Sequence, residues 1–446
     1  MIHGSWSFLW TTLRQDAFHP PLDYAVQKLV EGLNPSDAAR KIVPALWGVG
    51  TVAVYGLLLR RRGGRAVALL AMLLLAANPF LVRYSQELRP YSLGLFLEGL
   101  SLVALDFALA RRSRIAGVGF LLAALATAFA LYLAAVGLLT AAAALLADDC
   151  FLPDAFRRAT ARRFLAWSPA FGAALAVGYL PWWPVVLRAA RTTYPARSDF
   201  SVSHFGRLIA SFSITSREGG YSFGPPKLFY VVFAVFVLLV AAGFFSAAFR
   251  PGLRFLSGWL CGGFLLIQLL LSSATGRSGF RYYAGVAIVL PLLAAVGLAA
   301  LARRQRALAA GALLLILAYQ SFTLVDYYRA GRYDWRPIAR FFQRTPDSEK
   351  IFADNQNSIL CLSYYICGPR WLSGAPCRKT FVNLDGAVAP LEESASRGER
   401  SWLVLSTLPS AEEPRRWSQR FPAMSFPEAE SVTVRRIEKS GRNENR

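Results

Sequence analysis

The sequence alternates long apolar runs with short clusters of arginine, and this alternation constrains the fold more than any other feature. The runs are about 17–25 residues long, enough for a helix to cross the ~30 Å hydrocarbon core of a bilayer. The clusters between them are Arg60–Arg65, Arg111–Arg114, Arg157–Arg163, Arg250–Arg254 and Arg303–Arg306. Because a backbone in lipid must satisfy its own hydrogen bonds, the pattern predicts a bundle of membrane-spanning helices.

The formal net charge of +22 allows either a nucleic-acid binder or a polytopic membrane protein. A nucleic-acid binder gathers its basic residues on one face or stripe, whereas here they separate apolar runs. Hydrophobic residues make up 55% of the chain, which excludes a disordered protein, and five cysteines are too few for a disulfide scaffold. Nucleic acid is therefore not predicted as a partner.

The apolar runs predict about ten transmembrane helices, of which the fourth and fifth form a short, tight pair. The predicted spans are Lys41–Leu59, Ala66–Val82, Tyr91–Ala110, Ile115–Phe129, Ala130–Ala147, Phe164–Leu187, Leu228–Phe249, Phe255–Ser273, Tyr282–Ala302 and Ala307–Val325.

The arginine clusters predict the orientation. If Arg60–Arg65 is cytoplasmic, alternation of the spans puts all five clusters on the cytoplasmic side, as the positive-inside rule favours. Residues 1–40 and everything after Val325 then lie outside. Met1–Trp10 lacks the basic and apolar regions of a signal peptide, and no span precedes the external segment. We therefore expect an N-terminally shortened chain.

Three regions follow from this reading: an external segment at 1–40, a transmembrane bundle at 41–325 and an external α/β domain at 326–446. The bundle carries an external loop at 188–227. In that loop, apolar residues recur at helical spacing and predict an amphipathic helix on the membrane surface. These residues are Phe205, Leu208, Ile209 and Phe212.

The last region is richer in Glu, Asp, Ser and Pro and contains no span. Its pattern predicts a helix from Asp334 through Gln343, strands at 351–353, 380–383, 402–406 and 432–437, and helices at 358–366 and 411–420. Three of the five cysteines fall here. Cys367–Cys377 is the first candidate for a disulfide, although spacing does not determine connectivity.

The motif His19-Pro20-Pro21-Leu22 is flanked by Asp16 and Asp23. Paired prolines fix the backbone at the mouth of a helix. This would hold Asp16, His19 and Asp23 in an external pocket. The alternative is a rigid loop that enters an interfacial helix, with both carboxylates merely solvated.

A second motif, Arg83-Tyr84-Ser85-Gln86-Glu87-Leu88-Arg89-Pro90-Tyr91, lies between the second and third spans. Its two arginines are on the predicted outer side, against the positive-inside bias. Arginine suits bidentate contact with phosphate, which predicts an anion site. The alternative is an ion-paired turn whose arginines reach lipid headgroups.

One carboxylate, Glu98, lies about two turns inside the third span. A carboxylate at this depth marks a functional site or, alternatively, is neutral and hydrogen-bonded to a neighbouring helix. Gln268 and Asp106 are interpreted as interhelical and interfacial contacts, respectively.

Together these motifs resemble the bacterial GT-C glycosyltransferases of the dolichyl-phosphate-mannose protein mannosyltransferase-like superfamily. That group includes the lipid A aminoarabinose transferase and the rhizobial core-sugar transferases. The resemblance covers nearly the whole chain, and the Arg83–Leu93 stretch is its most specific part. It is carried by His19–Tyr24, Asn78–Leu93, Leu180–Arg188, Phe280–Leu293 and Tyr333–Phe342.

The resemblance implies an enzyme of the bacterial cytoplasmic membrane. It would move a sugar from a polyprenyl-phosphate donor to a glycan, lipid or protein acceptor at the outer face, with inversion. This chemistry needs a base for the acceptor and cations for the departing phosphate. The candidates are Asp16 and Glu87 for catalysis, Arg83, Arg89, Arg188 and Arg281 for the donor phosphate, and His19, Asp23, Tyr84 and Tyr91 for the pocket.

The chain departs from the family pattern at its start. The usual catalytic Asp follows the first transmembrane helix, and both are absent here. Asp16 lies too close to the His-Pro-Pro-Leu motif to be the counterpart of that catalytic Asp. Three alternatives stand: a chain that starts upstream, a degenerate non-catalytic relative, or Asp16 in the catalytic role.

A transporter or flippase of lipid-linked glycans is the competing functional class, since it would also need external arginines and a bundle of this size. Transporters often contain repeated halves with broken helices, and no internal repeat is visible in this sequence. The residues require no cofactor. A divalent cation near Asp16, His19 and Glu87 is allowed, but no ligand spacing supports one.

Overall fold

The computed structural model of the chain describes residues 5–16, 20–33, 37–191, 202–215, 226–274, 280–329, 335–354, 356–367, 377–384, 389–406, 423–424 and 432–437. The chain divides into two compact units, a larger one at Leu9–Leu324 and a smaller one at Val325–Arg446. Helices alone build the larger unit within the described residues, whereas the smaller one combines helices with a sheet.

Sixteen α-helices are described between residues 5 and 329, together with 3-10 turns at Leu180–Trp182 and Phe280–Tyr283. The helices are α1 Trp6–Asp16, α2 Leu22–Leu33, α3 Asp37–Arg62, α4 Arg65–Ala76, α5 Pro79–Tyr84, α6 Tyr91–Arg111, α7 Arg114–Ala130, α8 Tyr132–Cys150, α9 Ala155–Tyr179, α10 Trp183–Arg191, α11 Val202–Ser213, α12 Pro226–Ala248, α13 Arg254–Ala274, α14 Ala284–Ala287, α15 Val289–Arg304 and α16 Arg306–Arg329.

The ten predicted spans all coincide with helical segments. Within the described residues, seven stretches are long and apolar enough to cross a membrane: α3, α6, α8, α9 with α10, α12, α14 with α15, and α16. The other three predicted spans contain α4, α7 and α13, whose apolar parts are shorter. The prediction of an α-helical polytopic membrane protein is confirmed.

Two predicted spans are interrupted. The second, Ala66–Val82, breaks into α4 and α5 at Asn78, whose side chain accepts two backbone N–H groups from the first turn of α5. Pro79 follows at the first helical position, where no N–H donor is needed. The ninth span begins with a 3-10 turn and the four-residue α14 before α15 continues. Hydropathy alone does not detect such local changes of backbone geometry.

A buried charge cluster joins α3, α6, α8 and α9 at one end of the bundle. Arg62 donates from Nε to Asp106 Oδ1 over 2.6 Å and from its guanidinium to both oxygens of Asp149. Arg61 bonds Asp106 as well, and Arg157 Nη1 lies 3.3 Å from Asp106 and 3.6 Å from Asp149. Asp106 and Asp149 are fully buried. Asp106 is therefore paired inside the protein, and its predicted interfacial position stays a prediction.

Further contacts bring four of the five arginine clusters to this same end. Asp148 Oδ1 accepts the backbone N–H of Gly252 over 3.2 Å and lies 4.0 Å from Arg254 Nε. Arg250 donates to the Gly63 carbonyl oxygen over 3.4 Å. The second and third clusters are linked by a 3.3 Å bond from Arg112 to the Thr160 hydroxyl on α9.

Inside the bundle, Glu98 of α6 is fully buried, and neither carboxylate oxygen has a hydrogen-bond partner among the described residues. A Cβ added at Gly137 of α8 would lie 2.7 Å from Glu98 Oε1, and one added at Gly285 would lie 3.2 Å from Oε2. The two glycines leave the room that the carboxyl group occupies. The hydrogen-bonded interpretation of Glu98 is wrong, whereas its functional role stays a prediction. Gln268 does make the predicted interhelical contact, since it accepts the Tyr283 hydroxyl.

The smaller unit contains a five-stranded sheet in the order β2-β1-β3-β5-β4. Its described elements are α17 Trp335–Arg344, β1 Lys350–Ala353, α18 Gln356–Cys367, β2 Phe381–Asn383, α19 Ala389–Ser396, β3 Ser401–Ser406, β4 Ala423–Met424 and β5 Val432–Ile437. Strands β2, β1 and β3 are parallel, whereas β5 is antiparallel to β3 and β4. The predicted helix at 411–420 lies outside the described residues, and α19 and β4 were not predicted.

Side chains on the two faces of this sheet form separate apolar clusters. Trp402 packs with Ile338 and Phe342 of α17 on one face, and Leu403 packs with Leu391 of α19 on the other. A disulfide joins Cys367 at the end of α18 to Cys377, with their Cα atoms 5.2 Å apart. The predicted disulfide is confirmed.

The charge cluster predicts a large cost for removing its central arginine. Arg62→Gln leaves Asp106 and Asp149 buried without their main partner, and breaking a buried pair costs about 3–5 kcal/mol. We expect a lower unfolding temperature for the purified variant in detergent. Arg60→Gln is the matched control, because Arg60 is adjacent and exposed. Equal unfolding temperatures for the two variants would contradict a stabilising role for the cluster.

Candidate active site

The turn between α5 and α6 carries the most specific sequence motif. Contacts among α5, α6 and α11 hold this turn in place. Asn78 Nδ2 donates to the backbone oxygen of Phe212 in α11 over 2.7 Å. The ring of Phe80 lies 4.2 Å from the ring of Phe212, centroid to centroid. Tyr84 and Tyr91 pack edge to face at 4.6 Å and are almost fully buried. They support the turn from the core, and the pocket-lining role predicted for them stays a prediction.

Within this turn, Glu87 lies between two arginines. Arg83 Nε donates to Glu87 Oε1 over 2.9 Å, and Arg89 Nε lies 3.8 Å from Glu87 Oε2. The side chain of Arg89 is 47% exposed, against 27% for Arg83 and 25% for Glu87. The turn is therefore ion-paired, as one sequence alternative held. Arg89 is its loosest and most accessible member.

The amphipathic helix predicted in the external loop is confirmed as α11. Its apolar side, however, contacts protein: Leu208 and Phe212 are buried, and Phe212 packs on Phe80. From α16, Gln320 donates to the Ser213 carbonyl over 2.7 Å. These residues therefore pack on protein, and the predicted position of the helix on the membrane surface stays a prediction. Its periodicity reported one apolar face but not what covers that face.

Helix α10 and the 3-10 turn Leu180–Trp182 both contact α1. Arg188 of α10 donates from Nη1 to the Arg14 carbonyl oxygen over 3.2 Å, and Trp10 packs at 6.3 Å on Trp182. Arg188 is thereby held near the end of α1, whose last residue is Asp16. The side chain of Asp16 lies outside the described residues.

The first turn of α2 buries a carboxyl group. Asp23 and Gln27 are each 2% exposed and lie one helical turn apart, on the same face. Asp23 Oδ1 and both amide atoms of Gln27 have no hydrogen-bond partner among the described residues. Burial raises the pKa of the Asp23 carboxyl to about 7. A carboxyl with that pKa can take up or release a proton near neutral pH.

Helix α3 links the helix that carries Asp23 to the motif turn at Arg83–Arg89. Helix α2 packs on α3 and α7, and α3 also contacts α5. At Gly48 of α3 an added Cβ would lie 2.6 Å from the Ser85 Cβ, so this glycine permits close approach of the motif turn. Sequence reasoning overlooked Gln27; the signal was its spacing of four residues from Asp23 on an amphipathic helix.

The structure describes no side chain for two further predicted site residues, His19 and Arg281. His19 lies wholly outside the described residues, whereas the backbone of Arg281 belongs to the 3-10 turn Phe280–Tyr283. Among the described side chains, no group of three or more His, Cys, Asp or Glu residues could hold a metal ion. The divalent cation that the sequence allows stays untested, since two of its three predicted ligands are among the undescribed side chains.

The buried Asp23 predicts a pH dependence of stability. Its pKa is raised in the folded protein, so the folded state binds this proton more tightly than the unfolded state. The free energy of unfolding should therefore fall as pH rises from about 4 to about 7 and then level off. At about 1.4 kcal/mol per pKa unit, the full effect is ~4 kcal/mol.

Asp23→Asn should remove this component, and unfolding measured between pH 4 and pH 8 tests the difference from the unmodified chain. Glu31→Gln is the control on the same helix, because Glu31 already pairs with Lys28 over 3.1 Å. Identical pH profiles for Asp23→Asn and the unmodified chain would contradict a buried, titrating Asp23.

No protein-family model matches the chain, and no curated protein is similar enough to match. Among solved structures, the chain is similar to apo ArnT from Cupriavidus metallidurans, with 16% identity and a TM-score of 0.50 over 95% of this chain and 88% of that chain. For the same protein bound to undecaprenyl phosphate the TM-score is 0.48, with the same identity and coverage. For the oligosaccharyltransferase of Archaeoglobus fulgidus it is 0.44, with 12% identity over 87% of this chain and 62% of that chain.

The similarity to apo ArnT extends over almost the full length of both chains, and at this level of identity it concerns the fold alone. ArnT is an aminoarabinose transferase of the GT-C type. The fold implied by the sequence motifs is thereby confirmed: the chain forms a GT-C-like helical membrane bundle with a small C-terminal α/β unit.

Proposed function

We propose that this protein is a membrane glycosyltransferase that moves a sugar from a polyprenyl-phosphate donor to a glycan, lipid or protein acceptor at the outer face of the cytoplasmic membrane. The observation that carries the proposal is the near full-length fold likeness to apo ArnT. ArnT itself binds undecaprenyl phosphate. The motif turn at Arg83–Arg89 and the buried Asp23 supply the two kinds of group that such a reaction needs.

In the proposed reaction an acceptor hydroxyl attacks the anomeric carbon of the sugar, and the bond to the lipid phosphate breaks. The hydroxyl proton passes to a carboxylate, and the polyprenyl phosphate leaves with its negative charge. Cations near the leaving phosphate therefore stabilise the transition state. A base with a pKa near the working pH accepts the proton most effectively.

For the phosphate, Arg89 is the first choice. Its contact with Glu87 is 3.8 Å, longer than the 2.9 Å contact of Arg83, and its side chain is the more exposed. A phosphate can therefore replace Glu87 at Arg89 while Arg83 keeps the carboxylate in place. Arg188 and Arg281 are further candidates for the same lipid.

For the base, Asp23 is the first choice among the described carboxyl groups of the N-terminal segment. Its Oδ1 is buried and has no hydrogen-bond partner in the part of the chain that the structure describes, and its pKa of about 7 suits proton transfer. Glu87 is less suited, because its two oxygens already face the guanidinium groups of Arg83 and Arg89. Asp16 remains the alternative that the sequence motif favours.

Two other functions make different predictions. A transporter of lipid-linked glycans would move the intact donor without breaking the bond to phosphate. A non-catalytic relative would bind the donor and leave it unchanged. A labelled polyprenyl-phosphate sugar in proteoliposomes separates all three outcomes, because release, movement and retention of the label are measured together.

The phosphate role predicts that Arg89→Ala lowers release of labelled sugar by about 100- to 1,000-fold, the usual cost of losing one transition-state donor. Arg89→Lys should recover only part of the rate, because lysine keeps the charge but loses the bidentate fork. Arg207→Ala is the control, since Arg207 is an exposed arginine of α11 outside the motif turn. Full turnover by Arg89→Ala would refute the phosphate role.

The base role predicts that Asp23→Asn lowers the rate of transfer by about 100- to 10,000-fold, the usual contribution of general acid–base catalysis. Binding of the donor should persist, because asparagine keeps the shape of the side chain. Glu31→Gln on the same helix should keep its activity. If Asp16→Asn is inactive while Asp23→Asn retains full activity, Asp16 is the base instead.

A further inference from the structure

An apolar groove opens between α12 and α16, far along the chain from the motif turn. Its volume is about 1320 Å³, and its walls carry Leu238 and Leu239 from α12 and Leu308 and Leu315 from α16. Leu238 and Leu308 are 69% and 55% exposed, so these walls do not close on each other. All of its lining residues belong to the larger unit.

Gly297 of α15 and Gly311 of α16 are among the residues that line the groove. At Gly243 of α12 an added Cβ would overlap the Leu293 carbonyl oxygen, and at Gly297 of α15 one would overlap the Leu239 carbonyl oxygen. The backbones of α12 and α15 are therefore in direct contact. Gly311 of α16 faces open space, with no atom within 4 Å of an added Cβ. The groove is thus bounded by closely packed backbone at Gly297, while the space next to Gly311 is open.

Three arginines form one end of the groove: Arg303, Arg304 and Arg306. All three are exposed, and among the described residues none is hydrogen-bonded, ion-paired or stacked on a ring. The other four arginine clusters differ. Each of them contains at least one arginine bonded to a carboxylate, a hydroxyl or a backbone oxygen.

We propose that this groove binds an anionic phospholipid, with its phosphate at Arg303, Arg304 and Arg306 and its acyl chains along α12 and α16. Apolar walls that end at unpaired guanidinium groups complement a ligand with hydrocarbon at one end and phosphate at the other. Basic pockets between transmembrane helices on the cytoplasmic side bind such headgroups in other membrane proteins. The site does not depend on the proposed sugar transfer.

Native mass spectrometry of the purified full-length protein with added phosphatidylglycerol or phosphatidylcholine tests the proposal. We expect the unmodified chain to retain phosphatidylglycerol in preference to phosphatidylcholine. The variant R303Q/R304Q/R306Q should retain at least fivefold less phosphatidylglycerol than the unmodified chain. The matched control is R158Q/R162Q/R163Q, which removes the same charge from three exposed arginines of α9. This control should retain the lipid.

A second pair of variants tests the apolar part without changing charge. Gly311→Leu fills the open side of the groove and should also lower retention, whereas Gly119→Leu on α7, which likewise meets no atom within 4 Å, should not. Unfolding temperatures confirm that each variant is folded. Equal phosphatidylglycerol retention by the groove and control variants would overturn the proposal. Preferential retention of phosphatidylcholine, or of added polyprenyl phosphate, would overturn it as well.

Discussion

The buried pairing of Arg62 with Asp106 and Asp149 is the interaction on which the membrane bundle depends. A lone charge at this depth costs several kcal/mol, so none of the three groups is tolerated there without the others. The bonds span 44 and 87 positions in the sequence and join the ends of α3, α6 and α8. They therefore determine which helix ends meet, which hydrophobic packing in lipid does not do on its own.

The charge cluster holds one end of the bundle together, and hydrogen bonds between uncharged groups hold the other end. Asn78 bonds the backbone of α11 at Phe212, and Gln320 bonds it at Ser213. Helix α11 thereby ties α5 to α16. The motif turn that follows α5 is carried on these fixed elements, an arrangement common for binding residues on loops. Its own charges, at Arg83, Glu87 and Arg89, pair with one another within the turn.

Much of this architecture could be predicted from the sequence, and the limits are physical. Apolar length locates a span because it is a local property, so each of the ten predicted spans falls on helical segments, and seven of these are long and apolar enough to cross a membrane. Local pattern likewise located the strands at 351–353 and 432–437. The break at Asn78 was missed, since a cap depends on backbone angles that hydropathy does not report. The burial of Asp106 was missed because its partners are distant in sequence. For α11, periodicity gave the apolar face but not the protein surface that covers it.

Asp23 and Gln27 differ from the paired carboxylates of the charge cluster. Among the described residues, three of their polar atoms are buried without a hydrogen-bond partner, and each such atom costs about 1–3 kcal/mol. At the charge cluster, by contrast, the buried carboxylates of Asp106 and Asp149 are paired. Glu98 of α6 resembles Asp23, since it too is buried with no hydrogen-bond partner among the described residues. Unpartnered buried atoms lower the stability of the folded protein, and such a cost is expected where a ligand completes the hydrogen bonds. A carboxyl and an amide on one helix face can each bond a hydroxyl group, which is the chemistry that a sugar or its acceptor presents.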